Sequence, residues 1–146
     1  MYKTLDLFAG AGGLSLGFLQ TKKFKIVAAA EKNVNAAETY RRNHTNGENE
    51  EILFIDDVVG YDFAALAKKF EGIDIVIGGP PCQGFSNANR QKNHIISTNN
   101  ILVKEFFRAI KEIHPKAFVM ENVSMLQSET HRFYDSFTDH DEVSRY

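Results

Sequence analysis

The sequence predicts an α/β fold built on an open, mostly parallel sheet, doubly wound with helices on both faces. Three observations point there. Five short apolar or β-branched runs recur along the 146 residues, each separated from the next by a helix-like or polar segment. The clearest intervening segments carry a single apolar stripe, as helices covering a sheet do. Gly10, Glu31, Asp57, Cys82 and Glu121 each stand just past the end of a different run. Ligands in such sheets bind beyond the carboxyl ends of the strands, so this placement gathers all five on one rim.

Residues 4–9 read as the first strand, ending in Gly10-Ala11-Gly12-Gly13, and 14–19 begin a helix despite Gly17. Residues 25–30 are the second strand, closed by Glu31; 35–43 read as helical and 46–51 as a polar loop. The third strand, 52–55, ends in Asp56-Asp57. Asp62 suits the N-cap of the next helix, where Phe63, Leu66, Ala67 and Phe70 fall at i, i+3, i+4 and i+7. Ile73-Asp74-Ile75-Val76-Ile77 is a buried-type strand stopping at Gly78. A long polar stretch, 83–100, reads as a lid or binding loop carrying Arg90, Lys92 and His94. Leu102, Phe106, Ile110 and Ile113 mark an amphipathic helix stopped by Pro115, and 117–120 is a fifth strand ending in Glu121-Asn122. Residues 1–127 therefore read as one unit. Residues 128–146 read as a polar, acidic, loosely ordered tail.

Hydrophobic residues make up 43% and charged residues 25%, the balance of a globular domain. A net charge of −2 gives no global basic signature, so any nucleic-acid contact is local or lies on another surface. One cysteine excludes an internal disulfide and a four-cysteine zinc site; no metal is expected, and a free thiol suits a reducing cytoplasm. No signal peptide and no membrane-length apolar stretch is read.

The glycine-rich turn lets main chain approach a ligand at a helix N-terminus, and Glu31, nineteen residues after Gly12, suits ribose hydroxyls. A serine, Ser15, replaces the last glycine of the dinucleotide fingerprint, and the same residues suit a plain tight turn with a solvated Glu31. Asp57 can accept from an exocyclic amine, and Phe8 suits either ligand packing or the core. Pro80 and Pro81 cannot extend a ladder and present Cys82 rigidly. No base adjoins that thiol, which weakens a Cys–His reading; a thiolate can instead add to an activated carbon of a ring that a second group protonates, and Glu121 is the candidate. Glu121-Asn122 would equally cap a turn.

Taken together, these motifs resemble the S-adenosylmethionine-dependent DNA (cytosine-5) methyltransferase family. Residues 6–13, Asp-Leu-Phe-Ala-Gly-Ala-Gly-Gly, match its first motif, and Gly79-Pro80-Pro81-Cys82-Gln83-Gly84-Phe85-Ser86 matches its nucleophile motif. The resemblance implies the Rossmann-like fold of such methyltransferases, incomplete at its C-terminal end. It implies cofactor contacts from Phe8, Gly10, Gly12, Glu31, Asp57, Val58, Pro80 and Leu102. It implies Cys82 as nucleophile toward C6 of a flipped cytosine, Glu121 as its acidic partner, and DNA contacts from Gln83, Ser86, Arg90 and Asn122. The family often carries an Asp-x-Arg pair before Leu102, where this chain reads Ser97-Thr98-Asn99-Asn100. The resemblance spans about residues 3–126 and lacks the family's later segments, including target recognition. It implies double-stranded DNA as substrate, a complementary chain as a further partner, and an isolated chain with little or no activity. A non-catalytic binding module, an RNA cytosine methyltransferase and an NAD-linked oxidoreductase remain as other readings.

Overall fold

A computed structural model describes residues 1–44, 51–81 and 93–122, with 93–100 described in backbone only. The strands are β1 (Tyr2–Leu7), β2 (Phe24–Ala30), β3 (Leu53–Ile55), β4 (Ile75–Gly78) and β5 (Ala117–Met120). The helices are α1 (Gly13–Gln20), α2 (Val34–Asn43), α3 (Phe63–Lys69) and α4 (Asn93–Ile113). All described pairings are parallel, in the order β3-β2-β1-β4-β5. The chain steps outward from β1 to β3, and then returns past β1 to lay down β4. Right-handed crossovers therefore set α1 and α2 on one face and α3 and α4 on the other. The winding reverses between β1 and β4, where this architecture opens a crevice.

A parallel sheet covered on both faces needs apolar side chains pointing both ways. Leu5, Leu7, Val76 and Ile77 meet that need and are fully buried, as are Phe63 and Phe106 from the covering helices. The alanines at 28, 29 and 30 are buried too, small side chains in the strand that α1 packs against. Asp62 caps α3 as expected, its Oδ1 accepting the Ala65 N–H at 2.8 Å. Asn33 caps α2, accepting from Asn35 and Ala36. Arg108 of α4 donates to the carbonyls of Val58 (3.0 Å) and Tyr61 (2.8 Å), with its guanidinium 4.8 Å from the Phe63 ring centre. That side chain ties the segment after β3 to the far helix.

Three elements depart from the sequence reading by more than one residue. The 83–100 stretch is not all loop: α4 begins at Asn93 and takes in His94 and residues 97–100. Packing of Val103, Phe106, Ala109 and Ile113 secures the helix further on, and it can then be extended through the polar run 97–100 back to Asn93. The fourth strand starts at Ile75; Asp74 just before it still donates its N–H to the Lys3 carbonyl at 2.8 Å, while its carboxylate accepts the Lys3 N–H at 2.8 Å and pairs with Lys116 at 2.6 Å. The first strand runs from Tyr2, paired with Phe24, and ends at Leu7. The loop residues 46–50 and the tail from 128 lie outside the described residues.

Candidate cofactor and base site

The carboxyl ends of all five strands form one straight row. Leu7 pairs with both Ala30 and Gly78, Ala30 pairs with Ile55, and Gly78 pairs with Met120. The residues that follow these five, Asp56, Glu31, Phe8, Gly79 and Glu121, therefore stand side by side along the rim. A cavity of about 520 Å³ opens at the β3–β2–β1–β4 part of this row. Phe8, Glu31, Asp57, Val58 and Leu102 all line it, together with Gly79 and Pro81.

Glu31 orders the centre of the site. Its Oε2 accepts the Gly10 N–H at 2.9 Å and its Oε1 accepts the Asn33 N–H at 2.7 Å. Each carboxylate oxygen has a second lone pair, so two acceptor positions remain for a diol. Phe8 sits in left-handed backbone, φ 57°, a conformation costly for an aromatic residue. The turn lets its ring pack on the core and also line the cavity. Asp57 Oδ1 accepts the Val59 N–H and Oδ2 pairs with Lys32 at 2.7 Å, which holds its carboxyl below the usual range. Both partners are largely exposed, so the pair is worth about 0–1 kcal/mol and yields readily to a competing donor.

Gly10 and Gly12 do not line the cavity. Gly10, at φ +56°, has open space where a Cβ would point. Gly12, at φ +93°, is buried against His44. Pro80 also differs from its partner: Pro81 lines the cavity, whereas Pro80 is buried and its carbonyl accepts from Asn122 Nδ2 at 3.3 Å. Glu121 lies against the main chain of the same segment. Its N–H donates to the Gly78 carbonyl at 2.9 Å, and a Cβ placed on Gly79 would stand 3.1 Å from its Oε2. Cys82, Gln83, Ser86 and Arg90 lie outside the described residues. Among the described residues no cluster of His, Cys, Asp and Glu could hold a metal, and no helix is long and apolar enough to cross a membrane.

The donor set suits an adenosyl compound. One acidic side chain has spare acceptors beside a glycine turn, a second carboxylate is weakly held, and Phe8, Val58 and Leu102 offer apolar surface for a purine. The cavity volume is in the range that holds such ligands. Sequence reasoning missed the Lys32–Asp57 pair, the left-handed Phe8 and the His44 contact. The first had a signal, a lysine directly after Glu31; the left-handed Phe8 is a local backbone state that residue type does not report, and the His44 contact joins residues far apart in sequence.

A family model for C-5 cytosine-specific DNA methylase matches residues 2–140, past residue 126 where the recognisable motifs end. The type II methyltransferase M1.ScrFI of Lactococcus lactis subsp. cremoris is 41% identical over 127 residues, covering 87% of this chain and 30% of that protein. The DNA (cytosine-5-)-methyltransferase M.ApeKI of Aeropyrum pernix is 39% identical over 141 residues, again covering 87% of this chain and 30% of that protein. A solved structure described as a DNA modification methyltransferase encoded within a prophage (E. coli) superposes with a TM-score of 0.71 at 32% identity, covering 90% of this chain and 34% of that one. The chain thus spans under a third of the length of either curated relative.

Proposed function

Because the chain belongs to the C-5 cytosine-specific DNA methylase family, we propose that it supplies the cofactor-binding and catalytic part of an enzyme that methylates C5 of cytosine in DNA. One juxtaposition carries this reading. Phe8, Glu31, Asp57 and Leu102 line a cavity shared with Gly79 and Pro81, the segment that leads directly into Cys82. Residues 1–127 form this part and 128–146 its polar tail. The reaction partners are double-stranded DNA and a complementary portion bearing target recognition, whether on the same or another chain. A free thiol nucleophile suits work in a reducing cytoplasm.

S-adenosylmethionine, when bound, would supply an electrophilic methyl group on its sulfonium. Glu31 would hold its ribose hydroxyls, Asp57 its adenine amine, and Phe8, Val58 and Leu102 the faces of the ring, with Gly10 and Gly12 shaping the turn. The target cytosine would be flipped out of the duplex. The Cys82 thiolate would add to C6 while Glu121 hydrogen-bonds N3 and the exocyclic amine. That contact stabilises the protonated ring and makes C5 nucleophilic. After C5 has been methylated and has lost its proton, elimination of Cys82 restores the thiolate. Pro80, held by Asn122, would brace the pocket beside the base, and Gln83, Ser86 and Arg90 would meet the DNA.

The test is a covalent trap. The chain, fused to the C-terminal remainder of M1.ScrFI, is incubated with S-adenosylmethionine and duplex DNA bearing 5-fluorocytosine. A Cys82–DNA adduct, seen by denaturing electrophoresis and mass spectrometry and absent in Cys82→Ala, supports the reading. A folded, cofactor-binding fusion that forms no adduct overturns it. Methyl transfer to tRNA but not to DNA would move the substrate to RNA. Methyl transfer by the 146-residue chain alone would overturn the claim that it is one part of the enzyme.

A further inference from the structure

A buried polar cluster lies under the glycine turn, and the reaction proposed above does not use it. His44 is 4% exposed, and Asp6, Ser15 and Tyr40 are at most 1% exposed. His44 follows the last residue of α2, and its imidazole stacks on the Tyr40 ring with centres 4.0 Å apart. Nδ1 lies 3.0 Å from the Tyr40 carbonyl oxygen; Nε2 lies 3.0 Å from the Gly12 carbonyl oxygen and 3.2 Å from Ser15 Oγ. With its proton on Nε2 the ring donates to Gly12; with the proton on Nδ1 it accepts from the Ser15 hydroxyl. In both tautomers the ring is tied to the first turn of α1. The Tyr40 hydroxyl donates to Asp6 Oδ2 at 3.3 Å, so the cluster runs from β1 through α2 to the turn.

The contact is steric as well as polar. A Cβ on Gly12 would stand 2.0 Å from a ring carbon of His44. The imidazole therefore fills the space that the missing side chain leaves, under a residue at φ +93°. Few residues tolerate that backbone, so the turn needs an outside hold to keep one shape.

We propose that His44 is a positioning residue that holds the 10–13 turn, through Gly12 and Ser15, in the shape that meets S-adenosylmethionine. The cofactor part of this statement rests on the function proposed above; the hold on the turn does not.

The experiment compares H44Q, H44N and H44A in the 146-residue chain. Glutamine places an amide nitrogen where Nε2 stands and keeps the donor to Gly12, whereas asparagine reaches only the Nδ1 position. Amide hydrogen exchange at residues 10–15 reads the turn, and calorimetry with S-adenosylmethionine reads the cofactor. H44N and H44A are expected to speed exchange at 10–15 at least tenfold and to weaken cofactor binding at least tenfold, with β4 and α4 unchanged. H44Q is expected to stay within threefold of wild type on both. Equal loss in H44Q and H44N, or faster exchange spread evenly over the domain, would make the ring ordinary packing and overturn the proposal. Should H44A not fold, H44Q against H44N still decides. Should wild type bind no cofactor, the functional reading suffers, while the exchange pattern still decides on His44.

Discussion

The Gly10 main-chain N–H donates to Glu31 Oε2 at 2.9 Å, so one carboxylate at the end of β2 holds the turn that follows β1. The other oxygen of the same group holds the Asn33 N–H at the entry to α2. Glu31→Gln loses the charge and turns an amide hydrogen toward one of these donors. Hydrogen bonds to charged groups contribute about 1.5–3 kcal/mol when buried, and less at this partly exposed site. We expect a loss of about 1 kcal/mol in urea unfolding and at least a tenfold loss of S-adenosylmethionine affinity by calorimetry. Unchanged affinity would remove Glu31 from the cofactor site.

Gly78 and Gly79 should respond oppositely to alanine. A Cβ on Gly78 would stand 2.1 Å from the Leu7 carbonyl oxygen, which is main chain and cannot move without opening the β1–β4 ladder. Gly78→Ala should cost about 3 kcal/mol or more. On Gly79 the nearest atom is Glu121 Oε2 at 3.1 Å, the end of a side chain that can swing away. Gly79→Ala should melt within a few degrees of wild type, while under the proposed function the fused enzyme forms its Cys82–DNA adduct at least tenfold more slowly, because Glu121 has been displaced. A normal adduct rate would show that the position of Glu121 does not matter to the chemistry.

Burial lifts the Asp6 carboxyl to about 7, and the nearby Ser15 and Tyr40 hydroxyls only partly offset this. The unfolded chain titrates near 3.9, so between those values the folded state binds the extra proton. Its contribution to stability is fully present below about pH 4 and is lost as pH rises through about 7, with a slope of at most about 1.4 kcal/mol per unit. Asp6→Asn should remove this slope from urea midpoints measured between pH 4 and 8. An identical slope in the variant would assign the effect to another group.

Phe118 of β5 is 48% exposed, beside Phe107 at 48% and Val119 at 43%, and β5 pairs on one side only among the described residues. An unpaired apolar edge invites association. The 146-residue chain should self-associate at micromolar concentration, and Phe118→Glu should return it toward monomer in sedimentation velocity. A wild-type monomer at high concentration would refute this.

Much of the rim was legible because each polar residue follows a run of β-branched or small apolar residues. Glu31 after 25–30 and Glu121 after 117–120 needed only the rule that ligands meet strand ends. The start of α4 was not legible, since the all-polar run 97–100 separates Ile95 and Ile96 from the apolar stripe that begins at Leu102, and packing further along carries the helix through it. Nor was His44: Tyr40 is its neighbour one turn back on α2, but Gly12 and Ser15 are brought to it only by the crossover from β1 to β2 and the run into α2. Pro80 and Pro81 look alike in sequence, but one faces the interior and the other the cavity. Backbone direction beyond a strand end decides that, and residue type does not report it.

The single row formed by Ile55, Ala30, Leu7, Gly78 and Met120 acts as a ruler. Neighbouring strands stand about 4.8 Å apart, so the rim from Asp56 to Glu121 measures about 19 Å over four intervals. Under the proposed function, methyl donor and acceptor base would be seated at marks on this scale. A side-chain substitution can change what is held at a mark. Only a slip in strand pairing can change the spacing between marks, and a slip by one residue would also turn every side chain of that strand to the opposite face. The reach between the two reactants would then be a property of peptide hydrogen bonding, insulated from most point mutations, while the identity of what is bound stays open to them.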